Sequence, residues 1–266
     1  MAMSPTPFRL LFVGDVVGRP GREAVRDLLP DLRTELSVNF VVLNGENSAA
    51  GFGITAKIAH EFLGWGADVI TLGNHVWDQK QFVQEIVSEE RVLRPDNFPP
   101  GTPGRGAGCF AVGADSVLVM NLMGRLFMPA LDDPFRAADR ILSEPSAASF
   151  SVCDVHAEAT SEKQAMGWYL DGRVSVVVGT HTHVPTADAR VLPGGTAYVT
   201  DVGMVGPRDS VIGVDSKAAV DRFLTAMPTR FNTATGVVTF NSVLVTIDRL
   251  TGRAQTIQRI DREHMK

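Results

Sequence analysis

The stretch VVLNGENSAAGFG, Val41–Gly53, opens as a strand buried on both faces and runs directly into an acid held between two amides. The apolar run Phe40–Leu43 leaves no face for solvent, the pattern of a strand covered on both sides by helices or by a second sheet. Glu46 and Asn47 then follow where the hydrophobic strand has just ended. Adjacent side chains on a straight strand point to opposite faces, so both reach one site only if the chain bends; Asn44-Gly45 supplies the bend.

The same arrangement recurs. Phe8–Val13 runs into Gly14-Asp15, Val69–Leu72 into Gly73-Asn74-His75, Phe150–Val155 into His156, and Val174–Val178 into Gly179-Thr180-His181-Thr182-His183. Val117–Met120 reads as one more buried strand. Between them, Arg22–Leu36 and Ala56–Trp65 carry apolar residues at helical spacing, with Pro20 near a helix start and Pro30 expected to kink or split the first helix. Gln79–Ser88, Pro134–Leu142 and Glu162–Leu170 are further helix candidates. This alternation predicts βαβ units, and in such a sheet the carboxyl ends of the strands share one edge where ligands bind.

After His183 the pieces become β-type: Ala189–Leu192, Ala197–Thr200, Val237–Phe240 and Ser242–Ile247, with the helical Ser216–Thr225 between. The expected fold is α/β, with a sheet of mixed direction or two packed sheets closing a single domain over residues 1–266, residues 1–7 forming a flexible N-terminus. The Pro/Gly-rich Pro95–Gly108 reads as a surface loop rather than a domain boundary.

A formal net charge of −5 argues against stable binding to duplex nucleic acid, which needs a basic face. A small anion stays compatible, since a metal ion or a few donors offset its charge locally. Cys109 and Cys153 are too few and too far apart for a disulfide framework, and both read as core thiols. The run Leu10–Val13 is too short for a signal segment or a membrane span, so the expectation is a cytoplasmic protein without membrane association.

Each polar strand end has a plain reading on its own. Asp15 suits a turn or a helix cap, Asn74 a cap, Glu46 and Asn47 a polar loop, and His75 and His156 satisfied histidines. Taken together they read differently: of six histidines, His75, His156, His181 and His183 lie just past strand ends, while His60 sits in a helix and His264 in the tail. In an extended segment His181 and His183 would face the same way and suggest metal. Carboxylate, amide and imidazole ligands together suit iron, manganese or zinc better than magnesium or calcium.

In order, GDVVG, NGEN, GNH, the lone His156 and GTHTH resemble the motif series of the calcineurin-like metallophosphoesterases: Asp-x-His, Gly-Asp, Gly-Asn-His, His and Gly-His-x-His. The chain departs from it in three places. Val17 stands at the second ligand of the first motif, Glu46 replaces the bridging aspartate, and Thr180 separates the last glycine from its histidine. These departures, with NGENSAAGFGIT, TLGNHVWD, RPDNFP, NLMGR and VGTHTHVPTAD, are similar to the YmdB-like branch, from near Phe8 to beyond Asp215.

The resemblance implies a metallophosphoesterase-like sandwich of mixed β-sheets flanked by helices. It also implies a dinuclear metal phosphodiesterase acting on small 2',3'-cyclic nucleotides, with iron at the site and manganese or zinc as alternatives. Carried over, it puts Asp15, Glu46, Asn47 and His183 around one ion. Asn74, His156 and His181 would hold the second, with Glu46 bridging. A metal-bridging hydroxide would attack and His75 would donate a proton to the leaving group. Without an imidazole at Val17, His183 is the single histidine on the first ion, a harder shell that favours iron or manganese over zinc.

Two other functions use the same residues: a metal-dependent phosphomonoesterase or nuclease, and a regulatory protein that binds nucleotide or metal without turnover. His75 beside the ligands speaks for catalysis. Arg94, Asn97, Asn121 and Arg125 are placed to reach a phosphate or simply to be solvated. Leu122–Met128 is apolar enough for a substrate wall, a subunit contact in a homo-oligomer, or core.

Overall fold

The structure, a computed structural model, describes residues 6–265. Residues 1–5 of the expected flexible N-terminus lie outside them, and the Thr6 carbonyl accepts a hydrogen bond from Arg249 Nε at 2.6 Å.

Three sheets form. The first orders Ala254–Arg259, Ser242–Ile247, Phe8–Val13, Phe40–Asn44, Val69–Thr71 and Val92–Leu93. The last four of these run parallel, and Ser242–Ile247 lies antiparallel to Phe8–Val13. The second orders Arg190–Val191, Ala197–Val199, Val176–Thr180, Phe150–His156, Asp115–Met123 and Ala107–Val112, with four parallel central strands. A third, smaller sheet orders Arg262–His264, Val238–Phe240, Met204–Pro207 and Asp15–Val16.

The two-residue period of a strand assigns each side chain to a layer. Phe8, Leu10, Phe12, Phe40 and Val42 of the first sheet meet Phe150, Val152, Val176 and Val178 of the second in one apolar layer between the sheets. Phe8 and Phe150 stack there, ring centroids 4.2 Å apart. Leu11, Val13, Val41 and Leu43 face the other way, onto Ala24, Val25, Leu29 and Phe62 of the helices Gly18–Glu35 and Ala56–Gly64. On the outside of the second sheet, Cys153, Val155 and Val177 pack on Ala137, Ile141, Met166 and Leu170 of Pro134–Ser143 and Thr160–Leu170. The result is a sandwich of mixed sheets with helices on both outer faces.

Several expectations are corrected. Pro30 does not split the first helix, which runs unbroken from Gly18 to Glu35. Pro30 lies on its exposed face, where the carbonyl four residues earlier can turn to solvent. Gln79–Ser88 forms only the short helix Phe82–Glu85 and a 3-10 turn, Ile86–Ser88. Cys109 is exposed rather than core, because its strand, Ala107–Val112, is the edge of the second sheet; Cys153 is buried as expected. That strand also begins inside the supposed loop Pro95–Gly108. Among the described residues, no helix is long and apolar enough to cross a membrane.

Candidate metal centre

Parallel neighbours end on one side, and the strand ends Asn44, Thr71, His156 and Thr180 converge there. Beneath them sits Asp154, fully buried, which joins the sheets: Thr71 Oγ1 donates to Oδ2 at 2.5 Å, Thr180 Oγ1 to Oδ1 at 2.7 Å, and Asn44 Nδ2 to Oδ2 at 3.4 Å. The bend expected at Asn44-Gly45 is present. The Glu46 amide donates to Asn44 Oδ1 at 3.1 Å, turning both Glu46 and Asn47 inward, where each is buried.

One group of side chains is tightly gathered. His156 Nε2 lies 3.0 Å from Glu46 Oε1, 2.9 Å from Asn74 Oδ1 and 3.1 Å from His181 Nδ1. Neighbouring ligands on one ion with bonds of about 2.1 Å stand about 3 Å apart at a right angle, so the spacing suits a shared cation. Gly73 makes room for it: a Cβ there would come within 2.2 Å of His156 Nε2 and 2.5 Å of Glu46 Oε2.

A second group lies beside it. His183 Nε2 is 3.9 Å from Asp15 Oδ1, and its Nδ1 donates to the Ile212 carbonyl at 2.9 Å, which leaves Nε2 as the lone-pair nitrogen facing inward. Asn47 Nδ2 donates to the Gly51 carbonyl at 3.1 Å, so Oδ1 is the atom left over. Asp15 Oδ1 and Asn47 Oδ1 are buried without a hydrogen-bond partner, whereas Glu46 Oε1 faces His156 Nε2. Buried acceptors without donors are costly unless a cation serves them, and these two belong to residues the sequence assigns to metal.

The buried ionisable groups act on one another at the same point. Burial pushes the Asp15 carboxyl well above its ordinary range. Burial would also raise Glu46, but the His156 charge and the His75 amide, which donates to Oε2 at 2.9 Å, bring it down to about 2. His156 is drawn up to about 9, burial being outweighed by Glu46, whereas burial and the neighbouring His156 push His181 down to about 3.

Both His181 and His183 have left-handed backbones, with φ of 97° and 64°. The expected extended GTHTH segment, with two parallel imidazoles, is therefore corrected: the strand ends at Thr180, and the two rings serve the two different groups. Asp201 holds the turn, Oδ2 accepting from Thr182 N at 3.1 Å and Thr182 Oγ1 at 2.7 Å. Its charge is balanced by Lys163 Nζ at 2.7 Å in a fully buried pair. Non-glycine residues in this region cost on the order of 1–3 kcal/mol each and persist where their surroundings over-determine them.

His75 stands at the edge, its Nδ1 2.7 Å from Asp78 Oδ2 and its ring edge-on to Phe52 at 5.1 Å. It lines a cavity of about 320 Å³ together with Glu46, Asn47, His181 and His183 and the apolar side chains of Val17, Phe52, Ile212, Val214 and Phe231.

The other candidates do not reach the cavity. Arg94 is spent on the carbonyls of Pro95, Thr102 and Pro103, Asn97 on those of Met123 and Asp132, Asn121 on those of Leu72 and Leu93, and Arg125 pairs with Asp133. Leu122 and Met123 are core, while Leu126 and Phe127 are exposed. Asp78, Asp154, Glu158, Lys163 and Asp201 were not among the expected site residues. Glu158, two residues past His156 and 3.2 Å from His181 Nε2, Asp78, three past His75, and Asp154, two before His156, carried a local signal; Lys163 and Asp201 meet the site only through the tertiary fold.

A sandwich of this form with mixed oxygen and nitrogen donors at its strand ends is that of the metallophosphoesterase-like proteins. A profile of the YmdB-like protein family matches residues 11–260, and the chain belongs to that family. It is 50% identical over 253 residues to the 2',3'-cyclic-nucleotide 2'-phosphodiesterase of Bacillus subtilis (strain 168), covering 95% of this chain and 96% of that protein. Two crystal structures are also similar. A novel phosphatase from Mycoplasma pneumoniae superposes with a TM-score of 0.93 at 30% identity, covering 98% of this chain and 95% of that one. A hypothetical protein from Thermus thermophilus does so with a TM-score of 0.91 at 46% identity, covering 97% of this chain and 100% of that one.

Proposed function

We propose that this phosphoric ester hydrolase cleaves the 2'-ester of small 2',3'-cyclic nucleotides with two metal ions. The observation that carries the reading is the gathering of buried oxygens and imidazole nitrogens beside a cavity that Glu46, Asn47, His181 and His183 line together with apolar side chains. Its volume of about 320 Å³ is in the range of small-molecule sites, which run from about 300 Å³ upward. The name of the half-identical Bacillus subtilis relative points to the same substrate class.

Asp15, Glu46, Asn47 and His183 would hold one ion, and Asn74, His156 and His181, with Glu46, the other. When bound, the ions supply a water activated at neutral pH and neutralise the phosphate charge. The chain's own contribution is to hold the phosphate near His75, which gives its proton to the departing ribose oxygen. Asp78 on Nδ1 keeps that ring oriented. Iron or manganese fits better than zinc, since one ion sees a single imidazole. The two free cysteines accord with a reducing cytoplasm.

The test is a substrate panel: 2',3'-cyclic AMP, 3',5'-cyclic AMP, p-nitrophenyl phosphate and its bis ester, with wild-type protein and Glu46→Gln in one metal-replete buffer. The proposal expects 2',3'-cyclic AMP to have the highest kcat/KM and Glu46→Gln to lose metal and activity together. The phosphatase name of the Mycoplasma pneumoniae structure favours a second reading, in which p-nitrophenyl phosphate leads. Failure of every substrate to turn over with metal would leave a binding protein.

A further inference from the structure

Thr180 is the departure from the metallophosphoesterase motif that the ligand assignment leaves without a role. It is fully buried at the end of Val176–Thr180, in register with His156 on the adjacent strand. Its Oγ1 lies 2.7 Å from Asp154 Oδ1 and 2.9 Å from His156 Nδ1.

Proton counting gives this chain a direction. A hydroxyl has one proton and two lone pairs. Thr71 Oγ1 and Asn44 Nδ2 also lie within hydrogen-bond reach of Asp154, so an ionised Asp154 accepts from three directions. The Thr180 proton therefore goes to Asp154, and its oxygen accepts from His156 Nδ1–H. The other nitrogen, Nε2, faces Glu46, Asn74 and His181 and is the one that would offer its lone pair to an ion. Asp154 and His156 are two apart on one strand and so share a face, and the hydroxyl from the neighbouring strand bridges them.

We propose that Thr180 is a positioning residue: its hydroxyl, oriented by Asp154, holds His156 in the Nδ1–H tautomer and thereby sets how tightly the Glu46, Asn74, His156 and His181 group binds its ion. The inference rests on the reading of His156 as a metal ligand. Groups that orient a metal-bound histidine from behind are worth about 10–100-fold in metal affinity.

Manganese(II) titrated into chelator-stripped protein by calorimetry tests it. Thr180→Val keeps the shape and removes the hydroxyl, and should weaken binding about 10–100-fold, while Thr180→Ser should stay within about threefold of wild type. Thr71→Val, which also loses a bond to Asp154 but none to His156, should stay within about threefold as well. If Thr180→Val does not fold, Thr180→Ala removes the same hydroxyl without adding bulk. Wild-type affinity in the hydroxyl-less variant, or an equal loss in Thr71→Val, overturns the inference. His156→Ala separates the two layers: if it loses manganese and Thr180→Val does not, only the role of Thr180 falls, whereas if it binds as wild type the ligand reading falls too.

Discussion

Gly73→Ala is the smallest change that strikes the centre. The new Cβ would meet His156 Nε2 at 2.2 Å, His156 Cδ2 at 2.3 Å and Glu46 Oε2 at 2.5 Å, where unstrained contacts begin at about 3.5 Å. Something must move by about 1 Å, against the roughly 0.5 Å that a functional constellation tolerates. His156 cannot yield easily, being fully buried and fixed at Nδ1 by Thr180; Glu46 is fixed by the His75 amide. A misplacement of this size costs about 100-fold in kcat/KM, or about 2.7 kcal/mol on the barrier. Overpacking itself costs on the order of 1–3 kcal/mol of stability. The assay pairs steady-state hydrolysis of 2',3'-cyclic AMP with bound metal by elemental analysis. Gly64→Ala is the control: nothing lies within 4 Å of its Cβ position near a helix end, so activity should be unchanged and stability equal or up to about 1 kcal/mol higher. Wild-type kcat/KM and metal content in Gly73→Ala would refute the reasoning.

Phe8→Ala removes one ring of the stack between the sheets and should lower unfolding free energy by about 3–5 kcal/mol, read from the urea midpoint at unchanged m. His75→Ala should bind metal normally yet lose about 100-fold or more on 2',3'-cyclic AMP, with a smaller loss on bis-p-nitrophenyl phosphate, whose leaving group needs no proton; equal losses on both would remove His75 as donor. Lys163→Met leaves Asp201 charged and buried, so stability should fall by about 3–5 kcal/mol, measured by denaturant. Because Asp201 also holds Thr182, metal affinity should fall as well; a destabilised variant with wild-type affinity would show that the pair does not act on the histidine turn.

The strands of the two large sheets were legible where burial on both faces writes a continuous apolar run, as in Phe8–Val13 and Phe40–Asn44. The ends of those runs carried the polar residues of the site, so that convergence too could be read. Strands without such runs were not visible: Ala254–Arg259 alternates at a sheet edge, and Asp15–Val16 is defined only by pairing with distant Met204–Pro207. Cys109 reads as apolar until its strand proves to be an edge. The direction of His181 and His183 also lay beyond local pattern, because Asp201, a contact from another part of the chain, imposes the left-handed turn. Thr180 was conspicuous as a departure, but its use depends on the register that sets it opposite His156.

The central claim is that hydrolysis depends on two ions held by these residues. Chelator-stripped protein titrated with manganese(II) or anaerobic iron(II), with activity on 2',3'-cyclic AMP followed at each addition, tests it most directly. Negligible activity is expected in the stripped protein, with a rise that saturates at about two equivalents. Full activity in the stripped protein, or saturation with no metal retained, would contradict it.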